Sequence, residues 1–200
     1  MLKILSIDFD YFIDVTTEER DRLFPQGAAE IPKKELKKIW DKLIEGNPEI
    51  EEIGVIEEIQ TLNRYLTENI KQATIRVAKS HKDISKIIEN IPRKVNIDIV
   101  NIDYHHDYFH YFTDGDEYNC GNWLRRLKED RPNTKIRWVR REDSEMNSLE
   151  GRFPYESMTD INKILHEEYD VIFLCFSPEW TPPHLEKEFR KIIESFRGGM

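Results

Sequence analysis

Val95-Asn96-Ile97-Asp98-Ile99-Val100-Asn101-Ile102 runs straight into Asp103-Tyr104-His105-His106-Asp107-Tyr108, and this junction governs how every other segment is read. Five apolar or β-branched residues in the first half predict a buried strand. Metal-type side chains begin where that strand ends, which is where parallel α/β sheets keep their sites. Asp103, His105 and Asp107 form a D-x-H-x-D pattern. Its mixture of hard carboxylate oxygen and borderline imidazole nitrogen suits Mn, Fe or Zn better than Ca. A strand end whose polar side chains face water is the plainer reading, but aspartate is disfavoured in strands and needs a reason to be there.

A second acidic strand end lies at the start of the chain, where Leu2 to Ile7 predicts a buried strand that leads into Asp8-Phe9-Asp10-Tyr11-Phe12. The two ends meet only if their strands run parallel and close together in one sheet. Spacing by two puts Asp8 with Asp10, or Asp103 with His105, on one side of an extended segment. Four carboxylates crowded together repel and raise one another's pKa, so a bound polycation is the natural compensation. Two divalent ions about 3.5 to 4 Å apart, bridged by carboxylates and a water, fit that demand. D-x-D after an N-terminal apolar strand also opens the haloacid-dehalogenase phosphatases. That family wants a small residue two places after its second aspartate, where this chain has Phe12, and its later Ser/Thr and Lys motifs do not stand out here.

Outward from these strands, Thr16 to Pro32 reads as an irregular insertion with about one helical turn. Leu36, Ile39, Trp40, Leu43 and Ile44 follow helical spacing up to Gly46-Asn47-Pro48, and Ile50 to Leu66 reads as another helix. Gln72 to Ala78 predicts a strand, and Ser80 an N-cap for a helix carrying Ile84, Ile87 and Ile88, which sets His81 at a strand-to-helix turn. Tyr108 to Tyr118 suits a loop over the strand ends and a candidate substrate wall. Trp123, Leu124 and Leu127 mark a short helix, Lys135 to Val139 a strand, residues 140 to 157 a loop, and Ile161, Ile164 and Leu165 a helix. Val171 to Phe176 predicts a strongly apolar strand that empties into Ser177-Pro178-Glu179-Trp180, before a closing helix from Leu185 to Phe196. The expectation is one α/β domain over residues 1–200 with a mainly parallel sheet, and residues 16–70 as a helical insertion of unknown role.

The totals narrow the function classes. A net charge of −9 and a pI near 5.3 argue against a nucleic-acid coat, which works through clustered Lys and Arg. Charged residues are 34%, yet 11% aromatic residues and several apolar runs supply too much core material for a disordered chain. Cys120 and Cys175 are far apart and build neither a zinc nor a disulfide framework, which suggests a reducing cytoplasm. The opening apolar run is too short for a signal-peptide core, and no segment approaches the roughly 20 apolar residues that span a bilayer, so no membrane partner is expected.

Ser6-Ile7-Asp8-Phe9-Asp10 resembles the S-x-D-x-D metal motif of the arginase, agmatinase and ureohydrolase fold, and Asp103-Tyr104-His105-His106-Asp107 resembles its D-x-H-x-D motif. In ordinary arginases the second motif comes first, so the order here suggests a circular permutation or a divergent branch. A branch that includes the peptide arginases of ribosomal-peptide maturation carries a leading aspartate motif, a later His at a helix start, and D-x-H-x-D followed by Asn-Trp. This chain has Ile7 to Phe12, His81, Asp103 to Asp107 and Asn122-Trp123 in that order; residues 16 to 70 lie outside the resemblance.

The resemblance implies a three-layer arginase/deacetylase-like domain holding two Mn2+ ions. Asp8 and Asp103 would bridge them, with His81 and Asp107 on one ion and His105 and Asp10 on the other. The implied reaction is hydrolysis of arginine side chains in an arginine-containing precursor peptide, giving ornithine and urea, with Asp107 relaying a proton to the leaving nitrogen. His106 and His110 are both candidates for proton shuttling, and the sequence does not choose between them. For substrate binding, Glu179 ranks first among the acidic residues, ahead of Asp114, Asp116 and Glu117, with Asn122 and Trp123 beside it and Tyr104, Tyr108, Tyr111 and Trp180 as aromatic walls. The loop pattern with which free-amino-acid arginases hold the α-carboxylate and α-amine is not recognisable, which favours a peptidyl arginine. Two other readings stay open: a dinuclear hydrolase of a small guanidine, amidine or acetyl-amine compound, and a noncatalytic binding or immunity module.

Overall fold

Strands β1 (Leu2–Asp8), β2 (Thr74–Ala78), β3 (Ile97–Ile102), β4 (Lys135–Val139), β5 (Glu156–Met158) and β6 (Val171–Cys175) form one sheet in the order β2-β6-β1-β3-β4-β5. Every pairing is parallel. The computed structural model describes residues 1–26, 30–69, 73–109, 118–144 and 156–197. The two acidic strands are hydrogen-bonded neighbours, as the meeting of their carboxylates requires. Ser6 stands opposite Asn101 and Ile7 opposite Ile102, so Asp8 and Asp103 leave the sheet at the same level. After β1 the chain travels to one side of the sheet and after β3 to the other. The crevice between them is therefore a topological switch point, the place where open α/β sheets bind ligands.

Alternation along the strands builds two cores. Leu5, Ile7, Val100, Ile102, Ile172 and Leu174 face one way, onto helices α2 (Lys33–Gly46), α3 (Glu58–Asn69) and α6 (Glu186–Arg197). Ile4, Ile97, Ile99 and Phe173 face the other, onto α4 (Ser85–Ile88) and α5 (Trp123–Asp130). The result is a three-layer α/β fold. Residues 16–70, read from sequence as an insertion, supply Leu36, Trp40, Ile59, Leu62 and Leu66 to the first core and so form much of one layer.

Several local expectations change. Thr16 to Pro32 contains a two-turn helix, α1 (Thr17–Leu23), closed by a capping box in which Thr16 and Glu19 satisfy each other's backbone N–H groups. The helix expected over Ile50 to Leu66 breaks into a 3-10 turn, Pro48–Glu52, and α3. Between them, Gly54 O accepts from Asp14 N–H at 3.1 Å and Ile56 N–H donates to Phe12 O at 2.8 Å, so backbone groups that a helix would need are taken by the segment after β1. Ser80 does not cap; its hydroxyl donates to Glu30 Oε1 at 2.6 Å, and a 3-10 turn, His81–Ile84, precedes α4. Ile161–Lys163 is a single 3-10 turn, and β5 occupies part of a stretch read as loop. Among the described residues, no helix is long and apolar enough to cross a membrane.

Candidate metal centre

The carboxyl ends of β1 and β3 and the turn after β2 deliver six side chains to one place. Asp8 closes β1, and the 3-10 turn Phe9–Phe12 that follows folds Asp10 back beside it, with Asp10 N–H donating to Asp8 Oδ1 at 3.3 Å. Beyond β3, the N–H of His105 donates to Asp103 Oδ1 at 2.8 Å, and Asp107 takes a left-handed backbone with φ 51. His81 opens the turn after β2. Its Nδ1 lies 3.2 Å from Asp8 Oδ2, 3.1 Å from Asp103 Oδ2 and 3.1 Å from Asp107 Oδ2. His105 Nδ1 lies 2.8 Å from Asp10 Oδ2 and 3.8 Å from Asp103 Oδ1. Two adjacent groupings result, Asp8-His81-Asp103 and Asp10-Asp103-His105, with Asp103 common to both. All six residues are buried except His105, whose side chain is 21% exposed.

Each ligand atom is aimed by a partner behind it. Ser6 Oγ meets His81 Nε2 at 2.6 Å, which turns Nδ1 toward the carboxylates. The imidazole is held between Trp123, at 4.9 Å between centroids, and Phe173, stacked at 5.7 Å. Trp123 Nε1 donates to Asp107 Oδ2, Ser177 Oγ donates to Asp8 Oδ2 at 2.5 Å, and Asn101 Nδ2 donates to Asp103 Oδ2 at 3.2 Å. Ser6 and Asn101 are register partners, each two residues before its aspartate, so strand periodicity places them on the ligand side. Ser177 reaches Asp8 from a left-handed backbone, φ 46, a conformation that costs a non-glycine residue and is held here by its surroundings.

The electrostatics are those of a site short of positive charge. Burial, then Asp10 and Asp103, push the Asp8 carboxyl up to about 7. Burial and Asp107 hold Asp103 far above the carboxylate range, and burial raises Asp107. Asp10 goes the other way: burial opposes its charge, but His105, joined by Arg20, outweighs burial and lowers it. Burial also disfavours a charged His81, yet Asp107, Asp103 and Asp8 overcome it and raise its pKa well above the ordinary value. Without another cation, protons must fill the gap. The donor set fits a divalent ion instead. His81 Nδ1 has three carboxylate oxygens converging on it and Asp10 Oδ2 has His105 Nδ1 beside it, yet neither atom has a well-directed hydrogen bond. Buried polar atoms left this way call for an occupant, and N/O donors of this kind suit Mn, Fe or Zn.

The other residues singled out from sequence fall in different places. His106 is buried, its ring 3.9 Å from Phe109 and 6.1 Å from Trp138, and its Nδ1 accepts from Tyr108 N–H at 2.9 Å. Burial, then His105, push it down to about 3. Asn122 and Trp123 are fully buried, supporting the site from behind. Glu179 is half-buried and within electrostatic reach of Asp8; burial, Glu30 and Asp8 raise its carboxyl. His110, Tyr111, Asp114, Asp116 and Glu117 lie outside the described residues. Sequence reasoning passed over Ser177, Trp138, whose Nε1 donates to Asp103 O at 2.9 Å, and Arg20, whose Nη2 donates to Asp10 O at 2.7 Å. The one available signal was position: Ser177 directly follows a core strand, as the ligands do. No protein-family model, curated protein or solved structure matches the chain.

Proposed function

We propose that this chain is a metal-dependent hydrolase of the arginase-like kind, acting on arginine side chains of a ribosomally made peptide. The observation that carries the reading is the pair of adjacent His-carboxylate groupings sharing Asp103 at the switch point. Asp8, His81, Asp103 and Asp107 would hold one ion, and Asp10, His105 and Asp103 a second, Mn2+ being the expected metal. The reversed motif order is then a permutation of a sheet whose key strands still lie side by side.

A guanidinium is delocalised and stays protonated at pH 7, so its carbon is a poor electrophile. When bound, two divalent ions supply the Lewis acidity that makes water nucleophilic near neutral pH. The water oxygen bonds to the guanidinium carbon, the bond from that carbon to the side-chain nitrogen breaks, and the nitrogen leaves with a proton as the amine of ornithine, with urea as the other product. Asp107, whose Oδ2 accepts from the Trp123 N–H, would relay that proton. Glu179 lies on the loop after β6 as the acidic residue for the cationic head.

Incubation of the Mn2+-loaded protein with arginine-containing precursor peptides is expected to remove about 42 Da per modified arginine, the mass difference between arginine and ornithine, if activated water is the nucleophile. Unchanged masses across suitable peptides, with urea released from free arginine or agmatine, would move the assignment to a small-molecule hydrolase. A protein that takes up no Mn, Fe or Zn is a binding module on the same fold.

A further inference from the structure

Arg20 is a buried cation whose donors are only partly used. It is 5% exposed. Its Nη2 donates to Asp10 O at 2.7 Å, and its guanidinium lies 3.8 Å from the centroid of the Tyr104 ring and 5.5 Å from that of Phe24. Nε and Nη1 have no acceptor. Among the described residues no carboxylate comes within ion-pair distance of it; Asp10, the nearest by charge, directs Oδ2 to His105. A buried guanidinium in this condition calls for an acceptor, because unpaired buried charge and unspent donors are both costly.

A cavity of about 160 Å3 supplies room for one. It is lined by Arg20, Gln26, Tyr104, His105, Phe109 and Trp180, with the exposed Asp21 also at its wall. His105 is the one cluster ligand with appreciable exposure, so the cavity adjoins the metal centre through that residue. At about 30 Å3 per water, the space admits a few waters or one small planar group. Its aromatic walls offer stacking, its one carboxylate, Asp21, is exposed, and Arg20 is the buried guanidinium in its wall. Gln26 Nε2 donates to the carbonyls of Arg20, Asp21 and Phe24, fixing the end of α1 and with it the guanidinium.

We propose that this cavity is a carboxylate subsite, in which Arg20 receives an anionic oxygen of the substrate while the group to be hydrolysed lies at the cluster. The subsite rests on the hydrolase reading for its substrate. It assigns a role in the segment outside the arginase resemblance, and it supplies a carboxylate anchor where the motifs offered none. Two sources present the same chemistry: the terminal carboxylate of an arginine at the peptide's C-terminus, and an acidic side chain next to the target arginine.

The test uses ornithine peptides, which resemble product and are not turned over. Binding to the Mn2+-loaded protein is measured by calorimetry for acetyl-Ala-Ala-Orn with a free carboxylate, for its carboxamide, and for acetyl-Ala-Orn-Asp carboxamide. One carboxylate-bearing peptide is expected to bind about tenfold tighter than the plain carboxamide, a charge-assisted contact, and which one it is identifies the source. In Arg20→Gln the preference should fall below about twofold, and in Arg20→Lys, which keeps the charge without the planar fork, it should be intermediate. Equal affinities in the wild type, a preference undiminished in either variant, or no binding by any peptide overturns the subsite. If Arg20→Gln does not fold, the wild-type series and Arg20→Lys decide. Urea release from the matching arginine peptides is recorded in parallel. A carboxylate preference without urea removes the hydrolase reading and leaves the subsite; urea with equal affinities does the reverse.

Discussion

The two ends of the sheet each carry a cluster of charged side chains and treat it in opposite ways. Near the amino end, Arg137 on β4 grips Glu167 through Nη1 at 2.5 Å and Nη2 at 3.1 Å and reaches Asp98 at 3.5 Å. Lys3 Nζ adds a 3.4 Å contact to Glu167, and Asp170 accepts from the Lys3 N–H at 2.7 Å. Glu167 and Asp98 there face Arg137 and Lys3, two acids to two bases, while Asp170 is met by a backbone N–H, and the Arg137 contacts hold Glu167 below the ordinary carboxylate range. At the carboxyl end, Asp8, Asp10, Asp103 and Asp107 face two imidazoles and a single guanidinium, and three of the four carboxyls are driven up. The first cluster has a partner for each acid, whereas the second is short of positive charge and could hold a cation.

The contrast breaks most sharply at its shared ligand. Asp103→Ala should abolish uptake of both ions and Asp8→Ala should be nearly as severe, as read by elemental analysis after gel filtration; either variant retaining two tightly held ions would contradict a common centre. Next in size is a pH effect on the metal-free protein. Asp8, Asp103, Asp107 and His81 have folded pKa values raised above their unfolded ones, so the stability they confer is present at low pH and drains away as pH rises, for Asp8 between its ordinary value of 3.8 and about 7. Melting temperature should therefore fall by several degrees, roughly 5 to 10 °C, from pH 5 to 8. Added Mn2+ should reverse the fall, and a flat profile would refute the shortage of positive charge.

Smaller effects sharpen the same distinction. Trp123→Phe keeps a ring beside His81 but removes the N–H on Asp107 Oδ2; metal affinity should weaken about 10- to 100-fold, on top of a modest loss of stability from the smaller ring. Arg137→Met should show the opposite pattern, costing about 1 to 3 kcal/mol in chemical denaturation by stranding Glu167 and Asp98 while leaving metal affinity unchanged. Lys3→Met, at a contact more than a third exposed on the lysine side, should move stability by less than about 1 kcal/mol.

The features legible in sequence were those written as continuous runs. The strand β6 is an unbroken apolar stretch and β1 and β3 are mostly apolar, and the acidic residues at the ends of the latter two stood out because aspartate belongs there only for a reason. The pairing of β1 with β3 followed from requiring those acids to meet. Arg20 was hidden because it sits among charged residues from Glu18 to Arg22, where a solvated helix face and one buried guanidinium look alike. Ser177, Asn101 and Trp138 carry no ligand signature; they matter through a single hydrogen bond each, which only three dimensions reveal. The helix expected at Ile161 is a single 3-10 turn, opened by Asp160, whose side chain accepts from Asn162 N–H at 3.0 Å, and the chain then turns toward β6. Short strands such as β5, three residues in a polar stretch, leave no periodicity to detect.

The central position of β1 has a consequence for assembly. Its two neighbours, β3 and β6, begin at Ile97 and Val171, so a chain emerging from the ribosome makes its first strand long before either partner exists. Contacts of such sequence separation form slowly, because loop closure must be paid before pairing rewards it. Asp8 and Asp10 are thus synthesised early and wait, and the centre cannot close until His81 and Asp103 have followed. Closure of the cluster is on this account a late event, and a chain truncated before β6 would carry all six of its side chains yet leave β1 with one bare edge.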